Sequence, residues 1–96
     1  MTTRDLLQAN RDEILRIAER HGARDVRVFG SVARGEATET SDIDLLVSTA
    51  ERTSPWFPAA FAAEWQQLLG RRVDVVTEDG LYWLLRRRIL REARPL

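Results

Sequence analysis

The chain has 96 residues, 44% of them hydrophobic, which suits one domain over residues 1–96 and is too little for two cores. Its 15 basic and 15 acidic side chains cancel, excluding the positive excess of a non-specific nucleic-acid binder, although seven arginines crowd between Arg71 and Arg94 and no lysine occurs. With no cysteine there is no disulfide framework or thiolate metal site, and a charged opening without an apolar run near the ~18 residues of a membrane span predicts a soluble, cytoplasmic protein.

Thr2 and Thr3 can cap a first helix whose apolar Leu6, Leu7, Ile14, Leu15, Ile17 and Ala18 recur at helical spacing to about Arg20. Gly22 ends it as a left-handed cap, and His21, the only histidine, reads as a last-turn residue with no assigned chemistry. Asp25 to Phe29 alternates as a strand, with Val26 and Val28 on one face and Arg27 and Phe29 on the other. It stops at Gly30, where the missing Cβ permits a sharp turn and the close approach of a phosphate. Ser31 adds a hydroxyl and opens a short helix whose free amides attract anions. Arg34 lies one turn further on, placed either to reach a triphosphate or to pair with Glu36 or Glu39.

A small, polar loop over residues 36–41 leads to a second strand, Asp42 to Val47. Ile43, Leu45 and Val47 form its core face, while Asp42, Asp44 and Leu46 share the other. Two carboxylates this close repel each other, and the crowding raises one pKa unless a cation sits between them. Hard oxygen ligands beside a phosphate-binding turn select magnesium. Charged residues also guard strand edges, but that role leaves the neighbouring Gly-Ser turn unexplained. Apolar Leu46 on the carboxylate face implies that this face receives a base, a helix or a partner.

Gly30-Ser31, the ten residues Val32 to Ser41, and then Asp42-Ile43-Asp44 resemble the signature of the minimal nucleotidyltransferases of the DNA polymerase beta-like superfamily. Ala33-Arg34-Gly35 after the turn and Leu45-Leu46-Val47 after the second Asp fit the same pattern, and the likeness extends over roughly residues 5 to 95.

Downstream, a polar linker over Ser48 to Thr53 and the proline-bounded Ser54-Pro55-Trp56-Phe57-Pro58 precede a helix from about Pro58 to Leu69. Phe61, Ala62, Trp65, Leu68 and Leu69 form its core stripe, and Gly70 closes it. Arg71 to Val76 reads as a third strand with Val73 and Val75 inward and Asp74 turned away beside Arg72 and Val76. By itself Asp74 is either a third carboxylate opposite the first two or an ion-pair partner for Arg72 or Arg27. The resemblance implies that an Asp of this strand completes a catalytic triad, which assigns the position to Asp74. Thr77 to Gly80 is a turn. A final helix runs from Leu81 to about Glu92 with Leu81, Leu84, Leu85 and Ile89 inward. Tyr82, Trp83 and Leu90 widen its apolar stripe beside Arg86, Arg87, Arg88, Arg91 and Arg94, so it is either sandwiched or waiting for a partner.

The resemblance further implies an α+β, two-layer polymerase-beta-like fold: a short mixed sheet of about three strands with helices packed on one face. It implies transfer of AMP from ATP to a hydroxyl, with two magnesium ions held by Asp42, Asp44 and Asp74 and the phosphates held by Gly30, Ser31 and Arg34. Larger members of the superfamily add substrate-binding domains, whereas these 96 residues are expected to form the catalytic domain alone. Such minimal forms resemble the antitoxin of a pair whose other half is an all-helical HEPN ribonuclease toxin. The implied acceptor is a tyrosine of that toxin, within a hetero-oligomer, and not a nucleic acid. Two rivals stand beside this: an antitoxin that neutralises its partner by contact alone, and the catalytic subunit of a nucleic-acid nucleotidyltransferase.

Overall fold

The computed structural model describes residues 2–49, 57–81 and 83–96. In chain order the elements are α1 (Thr3–Ala9), α2 (Arg11–Arg20), β1 (Ala23–Phe29), β2 (Ile43–Thr49), α3 (Phe57–Leu69) and β3 (Val73–Thr77). A 3-10 turn (Glu78–Gly80), α4 (Trp83–Glu92) and β4 (Arg94–Pro95) follow. Ser48 and Thr49, expected to open a polar linker that runs to Thr53, instead end β2; the rest of that linker, the proline signal as far as Trp56, the inward side chain of Phe61 and the position of Tyr82 lie outside what is described.

The single first helix expected from periodicity is two. Thr2 starts α1 with a capping box, its hydroxyl accepting from the Asp5 amide while the Asp5 carboxylate accepts from its own, both at 3.0 Å. Asn10 then interrupts the helix: its side-chain amide donates to the Leu6 carbonyl at 2.9 Å, competing with the backbone ladder, and the chain restarts as α2 at Arg11. Apolar periodicity survives the break, which is why it does not reveal it. Gly22 takes a positive φ of 76° after α2, as its left-handed cap requires.

The sheet has four strands, in the order β3-β2-β1-β4, rather than about three. β2 runs antiparallel to β1 and parallel to β3, with α3 as the crossover. The added strand is β4, in which Arg94 and Pro95 pair with Val28 and Arg27, and the Leu96 amide donates to the Val26 carbonyl at 3.3 Å. Two residues are too few to show alternation in a sequence. β1 begins earlier than expected, at Ala23, and carries a bulge between Arg24 and Arg27 with Asp25 at a φ of 52°.

The core lies between the sheet and α1 to α3. Val26, Val28, Ile43, Leu45, Val47 and Val73 meet Leu7, Ile14, Ile17, Trp65 and Leu69. The Trp65 indole is fully buried and its N–H donates to the Ile14 carbonyl at 3.2 Å, so the ring adds core volume without an orphaned donor. Leu46 is 0% exposed on the opposite face of β2, so the central strand is covered on both sides. The expected inward set of α4 is a correction. Leu84 and Leu85 are 58% and 46% exposed, Trp83 is 73% exposed, Leu81 and Ile89 are only half-buried, and none of the helix's residues is buried. Among the described residues no helix is long and apolar enough to cross a membrane.

Candidate active site

Strand register assembles the site. Phe29 on β1 pairs with Asp44 on β2, and Asp44 pairs with Asp74 on β3, giving one row across three strands. The next row, Val28, Leu45 and Val75, faces the core, so the Phe29-Asp44-Asp74 row faces away from it. Arg27, Leu46 and Val76 form the following row on the carboxylate face. Asp42 sits one residue before β2, which starts at Ile43 and not at Asp42 as expected. Asp42 and Asp44 are half-buried and Asp74 is exposed.

Gly30 follows Phe29 directly and turns the chain with a φ of 71°, close enough to β2 that a Cβ on it would overlap the Asp44 carboxylate. The short helix expected from Ser31 is instead a run of turns. The Arg34 amide donates to the Gly30 carbonyl at 3.1 Å, Gly35 to Val32 at 3.1 Å and Glu36 to Ser31 at 2.8 Å. Gly35, with a φ of 75°, lets the chain leave before a second helical turn can form. Ser31 is half-buried within this loop, one residue from the close approach.

Arg34 makes the pair with Glu36 that its position allows, at 3.0 Å, and takes a second carboxylate, Glu92 at the end of α4, at 2.5 Å. It does not pair with Glu39. These two acceptors, Glu36 foremost, raise the guanidinium's pKa above its ordinary value. Arg27 is not the partner of Asp74: it donates to Glu78 at 2.9 Å and to Ser48 at 3.2 Å, and Ser48 donates to Glu78 at 2.8 Å. Among the described residues none of Asp42, Asp44 and Asp74 is in an ion pair.

Asp44 shows the cost of this crowding. Burial, then the charges of Asp74 and Asp42, push its carboxyl up to about 6, against a small opposing pull from Arg34. A cation placed among the three would reverse that balance, so the donor set fits a hard divalent metal. Among the described residues, however, no three His, Cys, Asp or Glu side chains converge on a single metal position. Magnesium is accommodated by such an open set, because it keeps waters and substrate phosphates as ligands and needs only one or two carboxylates.

Two contributors carry no motif. Glu92 lies 58 residues from Arg34 in sequence, and only the return of α4 brings them together. Arg71 donates to the carbonyls of Ser41 at 2.6 Å and Thr38 at 2.9 Å and to the Thr3 hydroxyl at 3.1 Å, fastening the loop that leads into Asp42. A groove of about 270 Å³ between α1 and β4, lined by Arg4, Leu7, Val32 and Leu96 among others, contains none of the three carboxylates.

A model of the nucleotidyltransferase domain family matches residues 11–96. The protein adenylyltransferase MntA of Thermococcus cleftensis is 39% identical over 87 residues, covering 91% of this chain and 85% of that protein. A solved structure provisionally named a minimal nucleotidyltransferase is 51% identical, with a TM-score of 0.85 over 96% of this chain and 94% of its own. A chain from the structure of tri-AMPylated Shewanella oneidensis HEPN toxin in complex with MNT antitoxin has a TM-score of 0.71 over 92% of this chain and 69% of its own. At 19% identity that likeness is one of fold alone. The chain therefore belongs to the nucleotidyltransferase domain family, as a minimal member homologous to MntA-type protein adenylyltransferases.

Proposed function

We propose that this protein is a magnesium-dependent antitoxin that transfers AMP from ATP to a tyrosine hydroxyl of a partner HEPN ribonuclease toxin. The observation that carries the reading is the pairing of Asp44 with Asp74 across β2 and β3, beside a Gly30 turn pressed against Asp44. The named activity of the MntA relative supports the reaction, and the toxin–antitoxin complex that shares the fold supports the partner.

In this reading Asp42 and Asp44 would hold magnesium, with Asp74 completing the acceptor side. Bound there, magnesium would supply neutralisation of the triphosphate and stabilisation of the entering and leaving oxygens. The turn at Gly30 and Ser31 receives the β and γ phosphates on its backbone amides and hydroxyl, and Arg34 reaches them from the far end of the loop. The tyrosine oxygen forms a bond to the α-phosphorus, the bond from that phosphorus to the β-phosphate oxygen breaks, and pyrophosphate leaves. Asp74, the most open of the three carboxylates, takes the hydroxyl proton. Half-buried Phe29 and Val76 supply apolar surface on the same face for the aromatic ring of the acceptor, with the fully buried Leu46 beneath them and out of its reach.

The test is to purify the chain with its genomic neighbour and weigh that neighbour with and without ATP and magnesium. A mass gain of one or more AMP groups, localised to tyrosine and absent with Asp44→Asn, is expected. Label on RNA or DNA and never on protein refutes it. The exposed Trp83, Leu84 and Leu85 favour a second reading, neutralisation by contact. In that case Asp44→Asn still silences the toxin.

A further inference from the structure

The last residue of α4 is an acid, Glu92, at the helix end where the macrodipole disfavours negative charge. The rest of that end follows the usual rule: Arg91 lies in the last turn, and the Arg94 guanidinium donates to the carbonyls of Arg91, Glu92 and Ala93. Glu92 therefore does not serve its own helix. Its side chain is 17% exposed and accepts from Arg34 Nη1 at 2.5 Å, while Arg34 Nε donates to Glu36 at 3.0 Å. Two carboxylates thus fix two nitrogens of one planar guanidinium. The third, Nη2, makes no hydrogen bond among the described residues. The Arg34 backbone is in turn bonded to Gly30, the residue against Asp44. The clamped guanidinium belongs to the phosphate loop, with one edge unspent.

We propose that Glu92 is a positioning residue for nucleotide binding: from the end of α4 it holds Arg34 in one orientation, so that the free Nη2 edge donates to a triphosphate oxygen. This rests on the nucleotidyltransferase reading of the Gly30 turn. A planar fork held in place forms charge-assisted bonds to phosphate without losing side-chain freedom on binding.

The sign of the effect separates this role from plain electrostatics. If Glu92 contributes only its negative charge, removing it strengthens the binding of a polyanion. If it positions Arg34, removing it weakens binding. The experiment is calorimetric titration of the full chain with a non-hydrolysable ATP analogue and magnesium. Glu92→Ala is expected to lose about tenfold in affinity and Glu92→Gln, which keeps an acceptor, about threefold. In an Arg34→Ala background Glu92→Ala is expected to add no further loss. In a transfer assay the KM for ATP rises with little change in kcat. Unchanged or tighter binding by Glu92→Ala overturns the proposal and leaves the enzymatic reading intact, as does an undiminished loss in the Arg34→Ala background. Should Glu92→Ala fold poorly, the Glu92→Gln series decides on the same criteria. A wild-type chain that binds no nucleotide removes the enzymatic reading and this inference together.

Discussion

Gly30 is held by two independent constraints, a left-handed backbone and a neighbouring carboxylate in the space a Cβ would take. Gly30→Ala is therefore expected to cost about 1–3 kcal/mol of stability and to displace Asp44, abolishing transfer. Thermal unfolding and an activity assay check both. Asp44 also gives a pH signature. Its carboxyl titrates near 6 in the folded state against an ordinary 3.8, so the folded chain binds the extra proton between those values. Metal-free stability is therefore fully favoured below about 3.8 and falls as pH rises through 6. Asp44→Asn should flatten that slope and raise stability at neutral pH by about 1 kcal/mol, a figure discounted for solvent screening. Denaturant melts between pH 4 and pH 7, run without magnesium, read the difference. The sign is the reverse for Glu78, whose pKa is lowered by bonds from Ser48 and Arg27, so its contribution fades in acid.

At the level of elements, α4 is the departure from expectation with the most consequence. Its Leu84 and Leu85 are 58% and 46% exposed, so Leu84→Ser with Leu85→Ser should leave monomer stability within about 0.5 kcal/mol. The same pair should sharply weaken capture of the proposed toxin partner through α4. Co-purification yield and a melting curve separate the two effects. Alternation made β1 and β3 legible because each has a buried and a more open face, and β2 legible at its head, where half-buried Asp44 lies between buried Ile43 and Leu45; the spacing from Gly30 to Asp44 placed a turn against a strand. The break at Asn10 was not legible, because a side-chain bond to one carbonyl leaves the apolar stripe undisturbed. Nor was the outward turn of α4, since an apolar stripe records that a helix buries a face and not whether that face is covered within one chain. β4 and the Glu92 contact depend on where the chain returns in space, which no local pattern encodes.

For the molecule as a whole, the candidate site draws on separate stretches: the turn at residues 30–36, the head of β2, Asp74 beyond the α3 crossover, and Glu92 after α4. The turn meets the head of β2 in the β1–β2 pairing, but Asp74 and Glu92 join them only when the parallel β2–β3 pairing and the return of α4 are complete. An unfolded chain thus presents no fragment of the site. Nucleotide should bind the native state alone, and magnesium–ATP at a hundredfold above its Kd should stabilise the chain by about 2.7 kcal/mol, read as a concentration-dependent rise in Tm. The parallel pairing has a further consequence in time. Its closure spans the α3 crossover, and such non-local contacts form slowly because loop entropy is lost before they reward it. The helical layer and the β1–β2 hairpin can condense first, leaving Asp44 beside an open strand edge. Refolding followed by intrinsic fluorescence should run ahead of refolding followed by nucleotide capture, so the last event on the folding path is the one that creates the enzyme.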